Sequence, residues 1–513
     1  MTGQGKVDRR RLISDFQRLA PEEISAFSVS AGDEADTSEM SQAERQLVSA
    51  LAKTLSLTES SIRRNTSFFA LGLDSLSAIR FSRNVRDSTG HQVDVSAILK
   101  RPTIARLAAF TEDKLEATSP RDVTISSVGN FLEVDIAKTI RFDFDAQKLA
   151  IKAILPCTPL QEAMLSASSG PQSPAYNNRM LFSLQTEPNV LKQAWKCMLD
   201  RHDILRTTFC STDDTQHPFV QVVLERFDLP WNQKHLNLDR EDLINETSNP
   251  LPPAFDGYVP PYSMSCYISA SQKSLVVDMH HALYDANAMS ILLSEIEQIC
   301  RGVKLPSPPP FSDFLAYMVS CDASMANAWF QEHLKGFRPK PFRRQLKTDG
   351  LYATVERQLP LSQQEVNGFL QQYALSLLAL SQGAWARTLS ILQTSKDICF
   401  GNLVSGRSVP VNDVERLVAP TLNTLPIRID SSKSRNNLDL VKQLQKINVD
   451  MLPYQLTPLR RVQQKFAAGQ HLFDSLILLQ QPSTPLDPSI WSLQGETGEM
   501  NVSSRVIHDF ESS

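Results

Sequence analysis

The chain has 513 residues, enough for about two to four domains, and its 42% hydrophobic and 21% charged residues are typical of packed soluble protein. The net charge of −4 is mixed in sign, which argues against a nucleic-acid partner, and no apolar run is long enough to cross a membrane. The polar first residues lack the apolar core of a secretory signal, and the seven cysteines form no Cys-x-x-Cys pair. We therefore expect reduced thiols in a cytoplasmic protein.

The first part of the chain changes from a linker to a helical bundle. Residues 1–40 are charged and then rich in serine, alanine and acidic side chains, which is typical of a flexible linker. A capping box at Ser41 and Glu44 predicts the start of a helix. Two more helices are predicted after Asp74 and after Thr103. Residues 41–114 are therefore interpreted as an all-α bundle of four-helix type.

The rest of the chain has a different pattern. Residues 115–150 are mixed and polar, and we interpret them as a linker that packs partly on a neighbour. From residue 151 onward helices alternate with short strand-like runs, which indicates an α/β domain. The proline-rich stretch 306–310 divides this region, because it can be neither helix nor central strand. We predict one lobe at 151–310 and a second lobe at 311–513.

Ser75 is the first candidate site residue. It follows Leu71-Gly72-Leu73-Asp74 at the start of a predicted helix, where the preceding glycine permits a tight turn. The positive end of the helix dipole would favour an anionic phosphodiester on this serine. A plain helix cap would give the same local pattern.

The histidine pair His280 and His281 is the second candidate. It follows the mostly apolar run 275–279, which is predicted to be an interior strand. A structural histidine pair is also typical of such a position. Adjacent side chains at the end of a strand point apart, and no cysteine or carboxylate cluster accompanies them, so no metal site is predicted.

These motifs resemble those of two domain families. Residues 67–79 resemble the attachment motif of peptidyl carrier proteins. The stretch His280-His281-Ala282-Leu283-Tyr284-Asp285 resembles the HHxxxDG motif of condensation domains of nonribosomal peptide synthetases. Further stretches resemble other motifs of that family in the same order, namely 156–164, 201–209, 401–407, 422–428 and 454–460. The resemblance implies a carrier bundle followed by two lobes of chloramphenicol-acetyltransferase type.

The resemblance also implies roles for single residues. Ser75 would carry 4′-phosphopantetheine, added by a phosphopantetheinyl transferase, and would hold an acyl group as a thioester. His281 would act as base or positioning group when an amine attacks that thioester, while His280 and Asp285 shape its loop. We expect Asp285 to form a buried bidentate pair with Arg206. Ala286 stands where the family has glycine, so a differently shaped loop is expected.

The two ends of the chain suggest its context. Residues 2–9 resemble the last motif of adenylation domains, so we interpret residues 1–40 as the tail of such a domain and a linker. Residues 472–478 resemble a strand well inside the second lobe, and residues 492–513 lack the family pattern. An incomplete second lobe is therefore expected, in a fragment of a multimodular enzyme or in an incomplete gene model. As an isolated fragment such a chain is expected to be inactive in condensation.

Partners and pathway follow from the same resemblance. Upstream adenylation and carrier domains, a downstream carrier, and aminoacyl or peptidyl thioesters are the expected partners. Residues 406–410 and 414–420 resemble fungal hydroxamate-siderophore synthetases of the ferrichrome type, which implies amide or ester formation in siderophore biosynthesis, a branch of secondary metabolism. The alternative is a non-catalytic carrier joined to a degenerate condensation fold that only docks.

Overall fold

The computed structural model describes residues 40–73, 75–90, 93–115, 132–168, 176–214, 216–235, 257–269, 272–340, 359–467, 471–480 and 485–493. As far as they are described, the residues form two compact units. One unit draws on 1–119, 345–383 and 436–449, and the other on 120–344, 384–435 and 450–513. The interpretation of residues 1–40 as an adenylation tail and linker lies outside the described residues, except for Met40.

The described helices and strands are numbered here in chain order. The helices are α1 (Gln42–Leu55), α2 (Ser75–Thr89), α3 (Val95–Lys100), α4 (Ile104–Leu115), α5 (Val134–Ala146), α6 (Pro159–Ser168), α7 (Pro188–Arg201), α8 (Ala286–Cys300), α9 (Phe311–Ser320), α10 (Ala323–His333), α11 (Gln363–Tyr373), α12 (Leu377–Leu392), α13 (Asn437–Met451) and α14 (Leu459–Phe466). The strands are β1 (Ile151–Pro156), β2 (Asn177–Leu184), β3 (Thr207–Ser211), β4 (Phe219–Leu224), β5 (Trp231–His235), β6 (Tyr262–Ile268), β7 (Lys273–His280), β8 (Asp397–Val404), β9 (Asn423–Asp430), β10 (Leu476–Ile477) and β11 (Trp491–Leu493).

Helices α1 to α4 form the predicted all-α bundle. The capping box is present, because the Ser41 hydroxyl accepts from the Glu44 amide and the Glu44 carboxylate accepts from the Ser41 amide. Phe68 and Phe81 are fully buried in the bundle and meet edge to face, with ring centroids 5.5 Å apart. The short helix α3 was not predicted, since six residues carry too little periodicity to be recognised.

The strands form three sheets in the other unit. A five-stranded sheet has the order β11-β2-β7-β6-β5, in which only β5 and β6 are parallel. A second sheet has the antiparallel order β1-β4-β3, and a third has the order β10-β8-β9, with β10 parallel to β8. We call the five-stranded sheet with α7 and α8 the first lobe, and the β10-β8-β9 sheet the second lobe.

The first lobe packs its helices on one face of its sheet. Because successive side chains of a strand point to opposite faces, Phe182 of β2 and Val277 of β7 lie on the same face. They pack in one buried cluster with Trp195 of α7 and Leu292 of α8. Strand β7 is therefore the interior strand that its apolar run predicts, and its end delivers the histidine pair.

The predicted boundaries of the lobes need correction. Helix α5 packs Ile140 and Phe144 against Val222 of β4. Part of the predicted linker therefore folds with the β1-β4-β3 sheet. Strand β11 pairs with β2 and so belongs to the sheet of the first lobe, although it lies far beyond residue 310. Phe314 of α9 is also buried in the first-lobe core. The stretch 306–310 thus does not separate the lobes, and residues 494–513 lie outside the described residues.

Candidate active site

His281 lies in a tight turn between β7 and α8. Its main-chain amide donates to the carbonyl of Tyr176 over 2.8 Å, and its Nδ1 lies 2.7 Å from the carbonyl oxygen of Tyr284. A carbonyl oxygen can only accept, so Nδ1 carries the hydrogen and Nε2 of the neutral ring keeps its lone pair. The side chain is partly exposed. The arrangement therefore presents an imidazole nitrogen that can receive a proton.

His280 has different surroundings. It is completely buried, its Nδ1 accepts from the Ala282 amide over 3.1 Å, and its Nε2 lies 2.9 Å from the Ser168 hydroxyl. That hydroxyl in turn donates to the carbonyl of Met164 over 2.8 Å. Burial, together with the neighbouring His281, lowers the pKa of His280 to about 3. His280 is therefore a neutral group that ties the end of β7 to α6.

Asp285 is completely buried and receives hydrogen bonds from three residues. Its carboxylate accepts from the amide of Ala288, 2.7 Å away, and so caps the start of α8. It also accepts from the amide of Thr421 over 3.0 Å and from Nη2 of Arg407 over 3.1 Å. The carboxylate thus joins the histidine turn to the second-lobe stretch that precedes β9.

The expected pairing of Asp285 with Arg206 is wrong. Arg206 is the last residue of the short 3-10 turn 203–206 that comes after α7, and its guanidinium donates to the carbonyls of Leu199 and Asp200 at the end of that helix. It also donates to the carbonyl of Leu224 over 3.2 Å and to the carboxylate of Asp203. Arginine at the end of a helix satisfies carbonyls that have no partner within the helix, which is the physical reason for this arrangement.

Arg407 lies at the site but was not predicted as a site residue. Its side chain is 2% exposed, and Nη1 donates to the carbonyls of Val414 and Leu417 over 2.8 and 2.9 Å. Gly406 before it has a φ of +69°, and a Cβ there would lie 1.8 Å from the Thr421 carbonyl oxygen. Only glycine fits this turn, so the Gly-Arg pair in the stretch 401–407 is the signal that could have identified Arg407.

A chain of buried amides supports the histidine turn from the opposite side. Gln161 is 1% exposed, and its Nε2 donates to the carbonyl of Ala282 over 2.8 Å and to Oε1 of Gln221 over 3.2 Å. Nε2 of Gln221 donates to the carbonyl of Pro156 over 2.7 Å. The stretch 156–164 therefore fixes the turn that carries His281.

The second-lobe stretches are also interlocked. Asn423 at the start of β9 donates to the carbonyls of Gln455 and Thr457 over 2.9 and 2.8 Å. Nε2 of Gln455 donates to the carbonyl of Ser408, the residue after Arg407, over 2.8 Å. The stretches 401–407, 422–428 and 454–460 are thus connected by hydrogen bonds, which position the Arg407 side chain that contacts Asp285.

Ala286 does not distort the histidine turn. It is the first residue of α8, it is exposed, and it is not among the residues with positive φ. Alanine is therefore compatible with the backbone at the position where a glycine was expected.

Ser75 is the first residue of α2, a helix of 15 residues. Asp74 and the side chain of Ser75 lie outside the described residues. The preceding turn contains Gly72 with a φ of +92°, a conformation that glycine adopts without strain. The backbone thus places Ser75 at the N-terminus of a helix, as predicted.

Two further features concern the described residues as a group. No cluster of three or more His, Cys, Asp or Glu side chains among them could hold a metal ion. No helix among them is both long and apolar enough to cross a membrane.

Comparisons with known proteins agree with the two predicted domains. Residues 151–509 match the family model of the condensation domain, and residues 45–111 match that of the phosphopantetheine attachment site. The chain is 36% identical over 509 residues to nonribosomal peptide synthetase 2 of Gibberella zeae, covering 98% of this chain and 10% of that protein. It is 27% identical over 476 residues to the hydroxamate-type ferrichrome siderophore peptide synthetase of Schizosaccharomyces pombe, covering 90% and 9%. The chain thus spans about a tenth of the length of these relatives.

Solved structures show the same fold. The cyclization-docking bidomain of a synthetase from Sorangium cellulosum matches with a TM-score of 0.54 and 15% identity, over 72% of this chain and 83% of that one. The condensation domain of a Monacolin K polyketide synthase matches with a TM-score of 0.51 and 18% identity, over 66% and 80%. The predicted carrier and condensation domains, and the similarity to fungal siderophore synthetases, are confirmed.

Proposed function

Because this chain belongs to the condensation-domain family and contains a phosphopantetheine attachment domain, we propose that it joins two carrier-bound acyl units through His281. The observation that carries the proposal is the hydrogen bond from Nδ1 of His281 to the carbonyl of Tyr284, 2.7 Å away. This bond leaves Nε2 unprotonated on a partly exposed ring. A neutral imidazole of this kind can accept a proton from an attacking amine.

The reaction replaces a thioester by an amide. The acceptor amine attacks the carbonyl carbon of the donor thioester, the carbon–nitrogen bond forms, and the carbon–sulfur bond breaks. Positive charge develops on the amine nitrogen, and Nε2 of His281 receives or orients that proton before it passes to the leaving sulfur. An ester forms in the same way when the acceptor is a hydroxyl group.

We assign the carrier function to Ser75. Its place at the N-terminus of α2 fits an attached phosphodiester, because the helix dipole and the first amides favour negative charge there. When bound, 4′-phosphopantetheine supplies a thiol that carries the acyl unit as a thioester. A phosphopantetheinyl transferase, upstream adenylation and carrier domains, and a downstream carrier are the partners that this assignment requires.

The proposed pathway is siderophore biosynthesis in the cytoplasm. Similarity to ferrichrome siderophore synthetases of Schizosaccharomyces pombe and Mycosarcoma maydis supports hydroxamate amino acids as substrates. All seven cysteines are free thiols, which supports a reducing compartment.

The test is amide formation by the 513-residue chain with a loaded donor and a loaded acceptor carrier. His281→Ala is expected to lower the rate about 10²–10⁴-fold. His235→Ala, at the exposed end of β5, is the matched control and should keep the rate of the unmodified chain. Equal rates for His281→Ala and the unmodified chain would exclude the proposed role, and no product from any variant would indicate either a fragment that is inactive by itself or a domain that only docks.

A further inference from the structure

We propose that Tyr284 is a positioning residue for His281. The consequence for turnover depends on the proposed role of His281, whereas the effect on the imidazole itself does not. One residue makes two different contacts with this ring. Its carbonyl accepts from Nδ1, and its aromatic ring lies parallel to the imidazole, with centroids 4.7 Å apart and an interplanar angle of 3°.

The two contacts restrict the imidazole in complementary ways. A quarter turn of the ring about its Cβ–Cγ bond would break both the Nδ1 hydrogen bond and the parallel stacking, and a half turn would restore the stacking but not the hydrogen bond. The hydrogen bond selects the tautomer with the proton on Nδ1, while the stacking selects the plane of the ring. Nε2 is thereby held in one direction before substrate arrives, which is how a positioned group accelerates a reaction.

Tyr284 is itself held firmly. It is 2% exposed, and its hydroxyl accepts from Nδ2 of Asn178 over 2.8 Å. Asn178 lies on β2, opposite Met279 of β7, in the second pair of a continuous antiparallel ladder. Burial raises the pKa of Tyr284 to about 12, so the phenol stays neutral in the range where an imidazole titrates. The rigid sheet thus fixes the tyrosine ring, and the tyrosine fixes the imidazole.

The stacking also suits the charge that arises in the reaction. When Nε2 takes a proton, the imidazole becomes positive, and the face of an aromatic ring attracts a positive charge. The other polar groups of this turn have other partners. Asp285 faces Arg407 and Thr421, and His280 faces Ser168. Among the described residues, the hydrogen-bond acceptor of His281 is the Tyr284 carbonyl rather than a carboxylate.

The test uses the 513-residue chain labelled with ¹⁵N-histidine. Two-bond ¹⁵N–¹H spectra distinguish the Nδ1–H from the Nε2–H tautomer, and His281→Ala identifies the signal of this residue. Tyr284→Phe keeps the ring, whereas Tyr284→Leu removes it. Tyr262→Leu is the control, because this tyrosine is 7% exposed in the same core cluster and its substitution removes a similar volume.

We expect the Nδ1–H tautomer alone in the unmodified chain, in Tyr284→Phe and in Tyr262→Leu. Tyr284→Leu keeps the carbonyl but removes the ring that holds the imidazole plane, so the imidazole can turn away from the Nδ1 hydrogen bond. We expect this variant to give a mixture of tautomers and a kcat lower by about ten- to a hundredfold, with little change in KM. A single tautomer in Tyr284→Leu, or the same mixture in Tyr262→Leu, would overturn the inference. A mixture with unchanged kcat would uphold the positioning and would contradict the proposed role of His281 instead.

Discussion

Arg407 and Asp285 form an ion pair, 3.1 Å between Nη2 and Oδ1, in which the side chains are 2% and 1% exposed. They lie 122 residues apart in the chain and in different lobes. Each charge depends on the other, because a buried charge without a partner is strongly unfavourable. The histidine turn and the second-lobe turn at Gly406 are therefore linked through this pair.

Removing either charge alone should destabilise the protein. We expect Arg407→Ala and Asp285→Ala each to lower the free energy of unfolding by about 3–5 kcal/mol. Urea denaturation followed by tryptophan fluorescence measures this. The double variant should lose less unfolding free energy than the two single variants lose together. A coupling energy near zero would contradict the pairing.

Arg206→Ala should also destabilise the protein, but independently of Asp285. Its guanidinium donates to the carbonyls at the end of α7, so its loss leaves buried acceptors unsatisfied at a cost of about 1–3 kcal/mol. In a double-mutant cycle with Asp285→Ala the two effects should add to within about 0.5 kcal/mol. A larger coupling energy would indicate that Arg206 and Asp285 do interact, contrary to the structure.

Gly406→Ala should be far more harmful than Gly302→Ala. Both glycines have positive φ, +69° and +77°, so alanine strains the backbone at each by about 1–2 kcal/mol. At Gly406 the new Cβ would also collide with the Thr421 carbonyl oxygen, whereas nothing lies within 4 Å at Gly302. Thermal unfolding of the two variants measures the difference, and equal melting temperatures would show that the collision is relieved at no cost.

His280 should make stability decrease in acid. Its folded pKa is lowered to about 3 by burial, whereas an unfolded histidine titrates near 6.5. The unfolded chain therefore takes up the proton first, so the contribution of neutral His280 is complete above about pH 6.5 and is lost as the pH falls toward 3. At pH 5 we expect the unmodified chain to have lost about 2 kcal/mol more than His280→Gln, relative to pH 7.

This comparison needs variants measured at the same pH. The pKa of His333 is lowered to about 4 by burial, and that of Glu162 is raised to about 7 by burial, so both also titrate in this range. They are present in both proteins and cancel in the difference. His235→Gln, which changes an exposed histidine, should behave like the unmodified chain. Parallel stability curves for His280→Gln and the unmodified chain would refute the buried, neutral state of His280.

Ser75 should accept one phosphopantetheine group from coenzyme A in the presence of a phosphopantetheinyl transferase. Its position at the first residue of α2 presents it at a helix N-terminus. Mass spectrometry of the intact chain should show the added group, which Ser75→Ala abolishes. Ser88→Ala, at an exposed serine of the same helix, should leave it unchanged. Modification of Ser75→Ala would assign the attachment to another residue.

Local patterns predicted the local features of this fold. The capping box at Ser41 and the apolar run 275–279 each act within a few residues, so their outcome could be read from adjacent sequence. The resemblance of separate stretches placed His281 in its turn. Adjacent residues do not encode which buried groups meet across the fold. For this reason Arg206 was predicted as the partner of Asp285, whereas the partner in the structure is Arg407.

Short or exposed elements escaped prediction for a different reason. Strand β11 has three residues and pairs with β2, so neither length nor spacing indicates it. Helix α5 carries exposed Phe142 and Val134 among charged residues, which hides its buried face in the sequence. Arg206 lies in the turn just after α7. This position could have indicated that its guanidinium donates to the carbonyls at the end of that helix.

Strand β11 also determines when, during synthesis of the protein, the first lobe can finish folding. Trp491 is fully buried against Phe182, and its indole donates to Glu297, so the first lobe is complete only when this strand is in place. Roughly 300 residues separate β2 from β11, and a ribosome adding about 5–20 residues per second needs some 15–60 seconds to make them. During that time the edge of β2 has no β11 to pair with, and an open edge can pair with another chain. The nascent first lobe is therefore open to pairing with other chains along this edge until the tryptophan emerges.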